Sequence, residues 1–164
     1  MKYLKSFVSG WICMAVVFFT SCGIQQLSAV QILSQLEMAA DKQSVGEHYT
    51  SEAEAGGLPS DVRGTLYGEG ADEIFQMMEE YAIYLSSTAK PEEISVFRCY
   101  SATDAHRVAL MCMERIELLR IALKGTEWEN LVENAVVVCR GRVVVLCIVD
   151  SSRSLKKEAE RLIG

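Results

Sequence analysis

The sequence predicts an α+β domain: a small, mostly antiparallel sheet of three to four strands with helices packed on it, in the order helix, strand, strand, helix, strand, strand, helix. Three observations carry this. Ala102 to Lys124 repeats apolar residues at helical spacing. Ile94 to Tyr100 is rich in β-branched and aromatic residues. Two valine-rich runs flank Arg140-Gly141, as the arms of a hairpin flank its turn.

The chain opens with Lys2 and Lys5, then an uncharged apolar run from Phe7 to Phe19, the order of a secretory signal. The run is shorter than the ~20 apolar residues that span a bilayer. Phe19-Thr20-Ser21-Cys22 resembles the lipobox of bacterial lipoproteins, with Phe19 in place of the usual leucine. That resemblance makes Cys22 the lipidated residue, joined to diacylglycerol once the signal is cut. Residues 1–21 therefore read as a signal peptide, 22–57 as a lipid-anchored N-terminal helix and acidic loop, and 58–164 as the α+β domain, forming one folded unit with the N-terminal helix. Lys2 and Lys5 hold the start of the chain in the cytoplasm and send the rest outside.

The 164 residues carry a formal charge of −6, and losing residues 1–21 removes two lysines and no acid. The remaining chain is still more acidic. It lacks the cationic surplus that neutralises nucleic-acid phosphates or draws a protein to anionic lipid. Membrane attachment is then expected through the lipid on Cys22, and the partner is an unidentified envelope protein rather than nucleic acid. Between Glu47 and Glu80 there are nine acids and one base, Arg63. Their spacing does not match a calcium loop, so a solvated acidic face is expected.

The first helix starts after Ser28, where Ser28-Ala29-Val30-Gln31 forms a capping box. Its apolar face is Ala29, Ile32, Leu33, Leu36, Ala39 and Ala40, and it ends near Lys42. At ~3.5 Å per residue, Gly23 to Leu27 tether it within ~20 Å of Cys22. Gln43 to Gly57 reads as a polar, acidic loop, and Gly57-Leu58-Pro59 breaks the chain before Ser60, a cap for a short helical turn. Ala71 to Met78 is helical. Glu80 to Ser86 fits two patterns, because Tyr81, Ile83 and Leu85 alternate like a strand while Ile74, Met78, Tyr81 and Leu85 share a helix face; a helix giving way to a strand is expected. Ala89 to Glu92 turns the chain into the Ile94 to Tyr100 strand.

The long helix carries Ala105, Ala109, Cys112, Ile116, Leu119 and Leu123 on one stripe, with Gly125 as its stop. Leu131 to Arg140 and Arg142 to Val149 form the second hairpin. Both arms are apolar on both faces, so helices should cover both sides of the sheet. A turn at Arg140-Gly141 sets Cys139 opposite Arg142 and Cys147 opposite Asn134, too far apart for a disulfide. Ser151 or Ser152 caps a closing helix with Leu155, Ala159 and Leu162 inward.

From Leu58 onward, Leu66-Tyr67-Gly68, Glu80-Tyr81-Ala82-Ile83, Glu93-Ile94-Ser95-Val96-Phe97-Arg98, Glu114-Arg115 and Val132 to Val137 followed by Gly141 stand in an order that resembles an uncharacterised family of lipoprotein-type proteins in Gram-positive bacteria, the domain of unknown function 4358. Arg98 stands where lysine is more usual in that family. The resemblance implies a small α+β domain behind a lipid anchor and supplies no activity.

Chemistry is sparse. Cys99, Cys112, Cys139 and Cys147 lie in apolar patterns and read as core residues. His48 falls in the acidic loop, and His106 faces away from Cys112 on the same helix, so neither activates a thiol. Met111-Cys112-Met113 points three ways and cannot converge on copper. Asp104 and His106 lack a third metal partner, Gly68-Glu69-Gly70 is no phosphate cradle, and no serine elbow occurs. Trp128 and Tyr100 are expected to finish the core. Glu93 and Arg115 form the expected structural ion pair.

No catalytic, cofactor-binding or metal site is assigned. The expected function is a membrane-anchored, non-enzymatic binding or interaction module of the cell envelope; the alternative is a surface hydrolase or metal-dependent enzyme. Three or more catalytic-type residues are expected not to converge, and a convergence with a perturbed titrating group would sink the binding-module reading.

Overall fold

A computed structural model describes residues 26–41, 46–52 and 57–164; the signal segment and Cys22 lie outside the described residues. The elements are α1 (Ala29–Ala40), β1 (Gly46–Thr50), α2 (Ser60–Tyr67), α3 (Ala71–Phe75), β2 (Met78–Ser86), β3 (Glu93–Cys99), α4 (Ala102–Ala122), α5 (Glu129–Glu133), β4 (Val136–Arg140), β5 (Val143–Ile148) and α6 (Ser152–Leu162). The fold is α+β. Its open antiparallel sheet has the order β1-β2-β3-β5-β4.

Every residue of β3 and β5 is buried, because these strands are central and covered on both faces. One face places Phe97, Cys99, Ile83, Val144, Leu146 and Ile148 under α2 to α5. The other places Ile94, Val96, Tyr84, Val145 and Cys147 under α1 and α6. Each fully buried apolar side chain of this kind contributes about 1.5–3 kcal/mol of burial free energy.

Ser28 closes its capping box with Gln31 at the start of α1. Ala29, Ile32, Leu33 and Leu36 are buried as expected, whereas Ala39 is exposed and Glu37 turns inward. On α4, Ser101 accepts the Asp104 N–H, and Ala105, Ala109, Cys112, Ile116 and Leu119 are buried. The order of elements departs slightly from the predicted one, with β1 ahead of the first expected strand and the short helices α2, α3 and α5 between the longer elements.

Four expectations need correction. The sheet has five strands, not three to four; the additional one, β1, lies inside the stretch read as an acidic loop. Its sequence Gly-Glu-His-Tyr-Thr shows no alternation, and what holds it is backbone pairing with β2. Gly46 is needed there, since a Cβ would meet the Tyr84 ring at 2.2 Å and the Leu85 carbonyl oxygen at 2.5 Å. Second, the expected strand from Leu131 is the helix α5 over its first residues, with Leu131 and Val132 buried under α4. Third, the β4–β5 register pairs Cys139 with Val144 and Cys147 with Val136, so the turn is Gly141-Arg142. Cys139 and Cys147 then lie three positions apart on opposite faces. Fourth, neither expected serine cap accepts a backbone N–H in the way foreseen. Pro59 precedes Ser60 at the N-cap of α2, Ser151 makes no side-chain cap bond, and Ser152 bonds back to the Cys147 and Val149 carbonyls.

Candidate functional site

The strands place Glu93 at the start of β3, between Leu85 of β2 and Ile148 of β5, on the face beneath α4. Ser95 follows two residues later and shares that face. Tyr67 ends α2, where Gly68 takes a positive φ of 85° and releases the chain. Its ring packs 5.7 Å from Phe75 and 6.1 Å from Phe97, which aims the phenol at β3.

These three groups interlock. The Tyr67 hydroxyl donates to Glu93 Oε1 at 2.6 Å, and the Ser95 hydroxyl donates to the same oxygen at 2.8 Å. Arg115, from α4, brings Nε to 3.4 Å from Glu93 Oε2. The structure thus brings Glu93 and Arg115 together, with two hydroxyls the sequence reading missed. Cys112 lies in the same core cluster, close enough to feel Glu93. The expectation that catalytic-type residues would not converge is overturned, because α2 docks on the sheet at the level of Glu93; this counts against the binding-module reading, which keeps its footing only through the direction in which the phenol and thiol are shifted.

The surroundings keep the Tyr67 phenol and the Cys112 thiol protonated. Burial, and after it the Glu93 charge, pushes the Tyr67 phenol well above its ordinary 10.0. The same two causes raise the Cys112 thiol well above 9.0. A nucleophile or base needs the opposite shift. Glu93 is 1% exposed and Ser95 fully buried. As arranged, the cluster fixes α2, α4 and β3 to one another.

The other expected residues are dispersed. His48 lies on β1 rather than in a solvated loop, with Nε2 2.6 Å from Glu37 Oε1 and its ring 5.5 Å from Tyr84. His106 is exposed on α4 while Cys112 points into the core. Cys99 and Cys147 are buried, but Cys139 is exposed, because β4 is an edge strand. Tyr100 is 61% exposed, and half-buried Trp128 holds the Lys90 ammonium 5.8 Å from its ring centre; neither finishes the core. The acidic segment is solvated as expected over its described residues except Glu80, which is half-buried against Arg98 at 2.5 Å; Asp72 and Glu79 remain exposed while pairing with Arg63 at 3.1 Å and Arg142 at 3.0 Å.

Among the described residues, no group of three or more His, Cys, Asp or Glu side chains could hold a metal ion, and no helix is long and apolar enough to cross a membrane. No family model, no curated protein and no solved structure matches the chain.

Proposed function

We propose that this protein is a lipid-anchored extracytoplasmic module of the bacterial cell envelope that binds or stabilises another envelope component without catalysing a reaction, and that it belongs with the domain of unknown function 4358. The anchor is Cys22, after a signal of residues 1–21. The observation that carries the non-enzymatic reading is the closure of the Glu93 cluster: its carboxylate is 1% exposed and its oxygens are taken by Tyr67, Ser95 and Arg115. Such a network positions elements and offers no group to a substrate.

Intact-mass analysis of membrane-extracted protein tests the anchor. The expected mass is that of the chain from Cys22 plus diacylglyceryl, lost in Cys22→Ala; a full-length unlipidated chain refutes it. Cross-linking in intact cells followed by identification of the adduct tests for the envelope partner.

One observation favours a surface hydrolase, namely the convergence of Tyr67, Glu93, Ser95 and Arg115. That reading expects ester or amide hydrolysis by the purified protein that disappears in Ser95→Ala while the fold is retained. Absence of turnover in the parent protein favours the binding module.

A further inference from the structure

β4 stands at the outer edge of the sheet, with β5 as its one strand neighbour among the described residues. Which of its backbone groups face outward follows from a bond on the far side of β5. The Cys99 N–H donates to the Arg142 carbonyl oxygen at 2.8 Å, so alternate residues from Arg142 onward bond toward β3, leaving Val143, Val145 and Cys147 to bond toward β4. Their partners are Arg140, Val138 and Val136. Val137 and Cys139 therefore turn their N–H and C=O groups away from the sheet, and among the described residues none of these groups meets a hydrogen-bond partner.

An edge of this kind templates further strand pairing unless charge, proline or a bulge blocks it. β1, the opposite edge, carries Glu47 and has His48 paired with Glu37. β4 is apolar over Val136 to Cys139, and its register against β5 carries no bulge. Apolar surface continues from this edge onto α4. Met113, 53% exposed, lines a hollow of about 220 Å³ with Ile116, Ala135 and Val137, and Leu110 and Ile121 lie exposed at helical spacing along the same helix. The two ends of the strand differ in sign, with Glu133 exposed just before it and Arg140 exposed at its close.

We propose that the β4 edge is the interface of a homodimer, in which β4 pairs antiparallel with β4 of a second copy about a two-fold axis at Val138. That register sets Val137 opposite Cys139 of the second copy, and each such pair exchanges both of its N–H···O bonds, so all of the outward groups gain partners. The antiparallel arrangement also lays the Glu133 end of one strand beside the Arg140 end of the other, whereas a parallel one would set like charge against like. The edge is complementary to itself in backbone bonds and in charge, as a closed two-fold interface requires. The two sheets become one, and α4, which covers β4 on one face, meets its copy across the seam through Met113. The dimer does not depend on the lipid anchor proposed above.

The test weighs full-length protein, released from maltoside micelles, by native mass spectrometry over a dilution series, with amide hydrogen exchange followed on the same samples. The mass should change from one chain to two as the protein is concentrated. Exchange at Val137 and Cys139 should slow roughly tenfold or more in the dimer, while Val138, already bonded to β5, changes little. Maleimide labelling of Cys139 should slow likewise. Cys139→Pro removes an outward donor without touching a bond to β5, and Met113→Lys places a charge beside the seam. Each should weaken the dimer about tenfold or more at the parent melting temperature. Should Cys139→Pro fail to fold, Met113→Lys decides alone. Cys139→Ser keeps the N–H and should leave the dimer intact. The proposal is overturned by a monomer at every concentration, by a dimer unweakened in the folded Pro and Lys variants, by open-ended oligomers, or by a dimer lost in Cys139→Ser, which would make a disulfide the joint. A chain that pairs through β4 only with a different protein overturns it as well.

Discussion

The Tyr67 hydroxyl on α2 donates a 2.6 Å hydrogen bond to Glu93 Oε1 on β3, joining residues 26 apart in sequence. Both are almost fully buried, at 4% and 1% exposure. Tyr67→Phe keeps the ring contacts and removes the donor, leaving Ser95 alone on that oxygen. The expected cost is about 1–3 kcal/mol, seen by calorimetry as a melting temperature several degrees lower. An unchanged melting temperature would mean that the bond contributes nothing.

Glu93 and Arg115 are expected to behave as one unit. Glu93→Gln or Arg115→Met alone strands a buried charge and should cost roughly 2–4 kcal/mol, toward the low side for buried pairs because Arg115 retains some exposure. The double variant should lose less than the two singles added, with a coupling of about 1 kcal/mol or more. Additive losses in urea titrations would show that the pair is not coupled.

Alkaline pH should unfold the protein. Burial, the largest cause in each case, pushes the Cys99 and Cys147 thiols up to about 12 from an ordinary 9.0, and pushes Cys112 and Tyr67 up as well. Above about pH 9 the unfolded chain releases thiol protons that the folded chain retains. The unfolded state then binds fewer protons, so stability falls as pH rises. Each thiol removes roughly 1.4 kcal/mol per pH unit until its folded value is reached. Urea midpoints should be insensitive to these groups below about pH 9 and drop steeply above it. Midpoints that stay level through about pH 11 would contradict their burial.

Thiol labelling should separate the four described cysteines. Cys139, exposed on the edge strand, should react with a maleimide in the native protein, while Cys99, Cys112 and Cys147 should react only after denaturation. Peptide mapping reads the result directly. Native labelling of Cys112 at the rate of Cys139 would argue that α4 does not cover the sheet as described.

Legibility in the sequence follows the physics of each element. α4 is readable because burial on one side writes a helical period into Ala105, Ala109, Cys112, Ile116 and Leu119, and β5 because a central strand is apolar throughout. β1 is not readable, since an edge strand held by backbone bonds leaves no periodic trace. α5 is too short to show a period. At the site, Glu93 and Arg115 stand out as charges on apolar elements. Tyr67 and Ser95 look ordinary until α2 is laid on the sheet, and Glu80 meets Arg98 only once the β2–β3 register is known.

The strand order also dictates how the chain must assemble. β2 with β3 and β4 with β5 are two hairpins that each close over a short turn, so both form from local contacts. The sheet becomes whole only when β3 meets β5, a seam that requires the stretch from Tyr100 to Arg142, with all of α4, to close as one loop. Closing that loop costs entropy before any seam contact offsets it. The seam is therefore expected to be the late, rate-setting event, with each hairpin presenting an unpaired edge to its neighbours until it forms. Crowded refolding should lose protein to aggregation at this step, and anything that shortens the Tyr100 to Arg142 excursion should speed folding more than it stabilises the fold.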